Sequence, residues 1–380
     1  MKSLIRALLK LVVGLIKLAA SLMCLALAAA LLLMFGASNG KVAMIEQAGD
    51  VSYGIQDRFD QFVTNTVSDA LDGVMAIEKA YWLSDSDLVA PKPNPDCYGS
   101  SADPAVIQQI IDDAAELLEG QELLYNAQTP LYNDTKVNYY YDPTILVLTW
   151  KQMIDNTIYC ISEIKIADAS QFRRFMSDGQ FMSGSKYMTS EMAASVNAVV
   201  ASNGDYYTKR FYGMVINNGQ LLRAEGTRVD ACAVDAKGDL HFVEVNEIVD
   251  PAEMQKFIDD NDIRFSLAFG PILIEDGEIP KLKLDYPEGE TRAPNARLAL
   301  CQMDSLHYLL VIASIEPPYE KGVVLKKFAE DLATLGCDKA YNMDGGRSAT
   351  LVMNNQLQNF IYERLISDII YFATAIPNGG

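Results

Sequence analysis

"DKAYNMDGGRSATLVM", Asp338 to Met353, decides how the C-terminal half of this 380-residue chain folds. A strand-like run reaches Asp344; two glycines follow, then Arg347 and Ser348, and the chain turns apolar again. Glycine admits positive φ and close approach, so successive N–H groups here could form a concave nest for an anion. Asp344 could act beside that anion as nucleophile, base or metal ligand, while Gly345, Gly346, Arg347 and Ser348 present donors. The same spacing suits a plain strand-turn-strand in which Asp344 caps its own turn.

Working outward, "GVVLKKFAEDLATLG" puts Leu325, Phe328, Leu332 and Leu335 on one helical face with Gly336 at its end, and delivers the chain into the motif. From about Tyr139 the texture is of short β-type runs. "TILVLTW", "NTIYCISEIKIAD" and "NAVVASNGDYY" predict strands, and "TSEMAASVNA" predicts a helix capped by Thr189. Hairpin turns are expected at Asn218-Gly219, Lys237-Gly238 and Asp276-Gly277, and "RLALCQMDSLHYLLVIAS" reads as a hairpin turning at Asp304 and Ser305. Regular βαβ alternation is missing. The fold class is therefore α+β, a strand-rich mixed domain with flanking helices over 131–380.

Residues 41–130 read as a helical stalk or docking region. Phe59, Phe62, Val63, Val67, Leu71 and Met75 recur at helical spacing, and "APKPNPDCYGSS" reads as a linker. "DPAVIQQIIDDAAELLEG" follows, with Asp103 as N-cap, Pro104 at the first helical position and Gly120 as a stop. Its buried stripe is Ile107, Ile110, Ile111, Ala114, Leu117 and Leu118. Residues 1–40 predict a membrane anchor. No charge interrupts Leu18 to Ala37, and twenty such residues in a helix rise about 30 Å, the hydrocarbon thickness of a bilayer. Lys2, Arg6, Lys10 and Lys17 precede that run, so a single-pass chain with its C-terminal domain outside the cell is expected. A cleaved signal peptide is the alternative, though the run exceeds the usual length of a signal core.

Beyond the anchor the chain holds 27 basic against 50 acidic residues, which disfavours nucleic acid as a partner unless a local basic site overrides the mean field. Six scattered cysteines without CxxC spacing exclude a dense disulfide framework but leave one or two bridges open. His241 and His307 both sit in strand-like runs, which leaves no material for a His-based zinc site. A GxxxxGK[ST] loop, an EF-hand ladder and a GxSxG elbow are all missing. No cofactor is implied. Two further polar sites stand out: Asn203, Gly204 and Asp205 end an apolar strand, and Arg297 opens one. Each also suits an ordinary turn or a solvated strand end.

Taken in order, "NAVVASNGDYY", "FYGMVINNGQLLR", "FGPILIEDG", "NARLALCQ", "LGCDKAYNMDGGRSATLVM" and "RLISDIIYF" resemble the phosphodiester glycosidase family, relatives of the enzyme that uncovers mannose 6-phosphate on lysosomal glycoproteins. The resemblance runs from Tyr139 to Ala375. It implies a membrane-anchored bacterial cell-surface hydrolase that cuts between a sugar anomeric carbon and a phosphodiester in glycans or surface polymers. Asp344 would stabilise or attack the oxocarbenium centre or activate water. Arg297, Gly345 and Gly346 would hold the phosphate, and Asn203 and Asp205 would bind sugar hydroxyls or orient Asp344. Gly204, Asn342, Arg347 and Ser348 complete the expected substrate contacts.

Several positions depart from the family pattern. Leu298 and Cys301 replace a hydroxyl and a glycine, Ser314, Ile315 and Glu316 stand where relatives carry Asp-Gly-Arg, and Glu320 stands where they often carry Ser. Arg347 could restore the missing positive charge, since a guanidinium grips phosphate bidentately. The alternative is a catalytically weak family member that binds glycan or a protein partner at the cell surface. A third possibility is a metal-dependent phosphodiesterase, for which Asp205, Asp344 and Asn342 are the only obvious ligand set.

Overall fold

Ile145 to Leu148 point alternately into two different cores, because successive strand residues face opposite sides of a sheet. Both faces of that strand are buried there, so "ILVL" is apolar throughout. The computed structural model describes residues 83–84, 87–225, 228–285, 291–318 and 321–376. The anchor, the helix expected around Phe59 to Met75, and Glu320 lie outside them. Tyr81–Gly380 forms one compact unit.

Its largest sheet has eight antiparallel strands in the order β1 (Tyr98–Ser101), β2 (Val137–Asp142), β3 (Ile145–Ile154), β4 (Thr157–Ile166), β14 (His307–Ala313), β13 (Arg297–Asp304), β15 (Lys339–Met343) and β12 (Ile272–Ile274). A five-stranded sheet runs β17 (Gln356–Leu357), β16 (Leu351–Met353), β6 (Val200–Asn203), β18 (Asp368–Phe372) and β5 (Phe172–Met176). A three-stranded sheet is ordered β10 (Leu240–Val243), β9 (Ala231–Asp235), β11 (Ile263–Leu267), and β7 (Gly213–Asn217) pairs with β8 (Gln220–Glu225) as a hairpin.

One core joins the sheets. Phe172 stacks on Phe372 at 4.4 Å and meets Phe265 and Tyr308 at 5.1 Å, so one ring touches residues of three sheets. Burying each such ring contributes about 2–3 kcal/mol. The outer face of the eight-stranded sheet is covered by α1 (Pro104–Asp113), α2 (Ala115–Leu118) and the helix Leu325–Thr334, numbered α5. Helix α3 (Thr189–Ser195) covers the five-stranded sheet, and α4 (Pro251–Asn261) covers the three-stranded one.

The strand-rich α+β class is as the pattern predicts. Asp103 caps α1 with Pro104 in its first turn, and Ile107 and Ala114 are fully buried. Three local details differ. Thr189 is the first helical residue of α3 and not its cap, because the Glu191 carboxylate accepts the Met188 N–H instead. The β13–β14 turn is Ser305 and Leu306, since Asp304 still pairs with His307. The proline-rich segment expected as a linker ends in β1, whose lone partner β2 lets it serve as an edge strand. The segment before β2 is further tied to the sheet by buried Glu163, which accepts the amides of Leu124 and Tyr125 and contacts His307 at 2.8 Å.

Candidate active site at the seam between two sheets

The quoted motif does not join neighbouring strands. Its first half, β15, lies in the eight-stranded sheet and its second half, β16, in the five-stranded one, so Asp344 stands where the chain crosses from one sheet to the other. The two glycines make the crossing tight. A side chain on Gly345 would sit 2.6 Å from the Ala296 carbonyl oxygen, and Gly346 adopts φ +56° while its N–H donates to that same carbonyl at 2.8 Å. With the Gly346 amide so used, the amides of Gly345 and Arg347 are the open donors of the turn among the described residues.

Asn203, at the end of β6, holds the crossing from the other sheet. Its side-chain amide donates to the Asp344 carbonyl at 2.9 Å and its oxygen accepts the Thr350 N–H at 3.0 Å. Gly204 follows because a side chain there would strike the Asp368 carboxylate at 2.3 Å. Asp205 is buried and fully engaged: it accepts the amides of Tyr207 (2.7 Å) and Ala268 (2.8 Å) and lies 3.3–3.4 Å from Arg174 and Arg210. Its carboxylate orders the floor of the site and is not open to a ligand.

Asp344 is different, being partly exposed. Burial raises its pKa, opposed by the Ser348 hydroxyl and the positive charges of Arg364 and Arg210, while Asp205 pushes it further up. Desolvation wins, and the carboxyl is a weaker acid than an ordinary aspartate. Arg210 lies almost wholly inside, yet its Nε and Nη1 have no hydrogen-bond partner among the described residues. Its position is fixed by Arg223, which donates to the Tyr207 and Arg210 carbonyls. Unsatisfied buried guanidinium donors are costly, about 1–3 kcal/mol each, and so point to an absent acceptor.

Beneath the floor, Arg174 bonds Asp368 at 2.7–2.9 Å. Burial alone would lower Arg174, but Asp368 and Asp205 leave it raised. Asp368 is pushed up to about 7 by burial, with Arg174 opposing and Asp205 adding.

The other expected residues divide clearly. Arg297 opens β13 beside the motif, but its guanidinium donates to the carbonyls of Val323 (3.2 Å) and Ala293 (2.7 Å), on the side of Ala299 and Cys301. Asn342 donates to Gly270 at 2.7 Å, Ser348 is buried beside Asp344, and Arg347 is exposed. Glu316, where relatives carry a cation, pairs with Lys151 at 2.7 Å. Asp205 is consumed by main-chain amides and arginines, and no group of three or more His, Cys, Asp or Glu residues suited to a metal occurs among the described residues. Cys97, Cys160, Cys232, Cys301 and Cys337 are free thiols.

Arg210 and Arg364 were not foreseen. Arg210 stands five residues after Asp205 in "DYYTKR", where it reads as a solvated end of a basic pair. Nothing local distinguishes Arg364 in "IYERLIS"; the pairing of β18 with β6 brings it near.

Residues 196–373 match the phosphodiester glycosidase family. Among solved structures the chain is similar to the catalytic domain, auto-inhibited by its pro-peptide, of zebrafish N-acetylglucosamine-1-phosphodiester alpha-N-acetylglucosaminidase. The two share 18% identity with a TM-score of 0.49, over 68% of this chain and 92% of that one. A hypothetical protein from Synechocystis is similar at 14% identity and a TM-score of 0.44, over 65% of this chain and 64% of that one. No curated protein matches the chain.

Proposed function

We propose that this chain, whose residues 196–373 match the phosphodiester glycosidase family, is a hydrolase that cleaves between a sugar anomeric carbon and a phosphodiester oxygen. The observation that carries this is one reachable carboxylate, Asp344, acted on by two arginines at the seam of two sheets. When the anomeric C–O bond stretches, the leaving group is a phosphate monoester of low pKa. It needs little protonation, and one of the two usual glycosidase carboxylates becomes dispensable. The site has that composition, because its second carboxylate, Asp205, is consumed by two amides and two arginines.

In this mechanism Asp344 faces the developing oxocarbenium carbon or takes a proton from the attacking water. Its raised pKa suits the second task. Arg210 brings two unengaged donors to the phosphate, Arg364 adds charge, and the amides of Gly345 and Arg347 complete the cradle. Asn203 positions the Asp344 main chain. Arg297 holds the 293–296 loop against which the glycines pack.

The apolar run Leu18–Ala37 with its basic flank supports a membrane-anchored chain with its C-terminal part outside the cell, where glycosyl phosphodiesters of surface glycans or polymers such as teichoic acid or exopolysaccharide are the proposed substrate class. Among the described residues no helix is long and apolar enough to cross a membrane, and that run lies outside them. The test is release of free sugar from glycosyl-1-phosphodiesters by the full chain, with and without EDTA. Release in both conditions is expected. Binding without release would favour the glycan-binding alternative, which the Ser314–Glu316 departure motivates.

A further inference from the structure

Three segments meet around Arg364, whose charge acts on Asp344. Tyr187 and Ile366 exchange main-chain bonds of 3.1 and 2.8 Å, Ser190 donates twice to Glu363 at 2.9 and 2.7 Å, and Thr208 bonds Ser367 at 3.1 Å. Each segment carries a cation: Lys186, Lys209 and Arg364.

We propose that Lys186 and Lys209, with Arg364 beside them, form a second anion subsite, so that the natural substrate is a glycosyl phosphodiester whose aglycone carries at least one further phosphate. This rests on the hydrolase function proposed above. Lys186 adjoins Tyr187, which is bonded to Ile366, and Lys209 adjoins Thr208, which is bonded to Ser367, so these bonds bring the two lysines together on either side of the Arg364 segment, although two ammonium groups have only donors. Burial, Lys209 and Arg364 together lower the Lys186 pKa. Like charges brought together repel one another, the more so where solvent is partly excluded. Acidic partners abound in a chain with 50 Asp and Glu, yet none is paired with either lysine among the described residues.

Access and charge balance point the same way. Lys209 is exposed, and Lys186 and Arg364 are partly so. A scissile phosphodiester brings one negative charge, which Arg210 and Arg364 already face. Lys186 and Lys209 are surplus to it, and a second phosphate would turn their repulsion into paired attraction. A glycosylated chain of repeated phosphodiesters and a nucleoside-diphosphate sugar both supply that chemistry.

The test has two arms on the full-length chain and its Lys186→Ala/Lys209→Ala variant. In the first, specificity constants are compared for a glycosyl-1-phosphate methyl ester, a nucleoside-diphosphate sugar and a short glycosylated glycerol-phosphate oligomer. The wild type should favour one or both two-phosphate substrates by at least about ten-fold, and the variant should lose that ratio. Whichever substrate carries the preference identifies the source, and an equal ratio in the two proteins overturns the proposal. In the second arm, calorimetry measures pyrophosphate and inorganic phosphate binding. Tighter pyrophosphate binding that the variant loses supports the subsite even if no substrate turns over, in which case only the hydrolase function fails. Equal binding of both anions overturns the subsite itself. Thermal unfolding of the variant should be unchanged or raised, because a like-charge pair is removed.

Discussion

The side-chain amide of Asn203 donates to the main-chain carbonyl of Asp344 at 2.9 Å, across 141 residues of sequence and from one sheet to the other. That bond, with the Thr350 amide on the same side chain, fixes where the sheet crossing places its carboxylate. Asn203→Ala should cost about 1–3 kcal/mol, because two buried main-chain groups lose their partner. Denaturant unfolding reads that loss. The hydrolysis rate at saturating substrate should fall more than the Michaelis constant rises, since positioning and not binding is lost.

The two glycines of the crossing should respond unequally. Alanine at Gly345 meets a main-chain carbonyl at 2.6 Å that cannot rotate away, whereas alanine at Gly346 meets only the Asn295 side chain at 3.3 Å. Gly346→Ala should cost about 1 kcal/mol for its left-handed backbone. Gly345→Ala should cost more and also lower activity by displacing Asp344. Equal melting temperatures for the two variants would contradict the close approach.

The strand-rich class, the α1 cap and the helix leading to the motif were legible because each depends on local period or capping. At Asp344 the carboxylate and two glycines mark a tight turn in the sequence, but only the sheet topology shows that this turn crosses from one sheet to the other. The role of Arg297 was not legible: its position at a strand start is local, but the direction of its guanidinium depends on the carbonyls of Val323 and Ala293. Arg210 and Arg364 were invisible for the same reason. Their relation to Asp344 comes from sheet pairing between segments more than 100 residues apart, which no local spacing encodes.

Arg210 and Arg364 should therefore set the pH profile, and Arg297 should not. Both arginines lower a carboxyl that burial raises, so Arg364→Met should move the acid limb of kcat/KM to higher pH. Arg210→Met should do the same and weaken phosphate binding. Arg297→Met should reduce thermal stability and leave the acid limb in place. A limb unmoved by Arg364→Met would remove that residue from the site.

Asp368 gives a separate dependence of stability on pH. Its folded pKa is raised from the usual carboxylate value to about 7, so the folded state binds its proton more tightly than the unfolded chain. Stability from this group is present below the unfolded value and is lost as pH rises toward about 7. Asp368→Asn should flatten the fall in unfolding free energy between those limits, even though the substitution weakens the hold on Arg174 and lowers stability throughout.

The central claim concerns Asp344, and Asp344→Asn tests it most directly. The substitution keeps the shape of the side chain and removes a desolvated charge, so the variant should unfold at the same temperature as the wild type or higher at neutral pH. Its release of free sugar from a glycosyl-1-phosphodiester should fall by about 10²-fold or more. A stable Asp344→Asn protein that releases sugar at the wild-type rate would contradict the account.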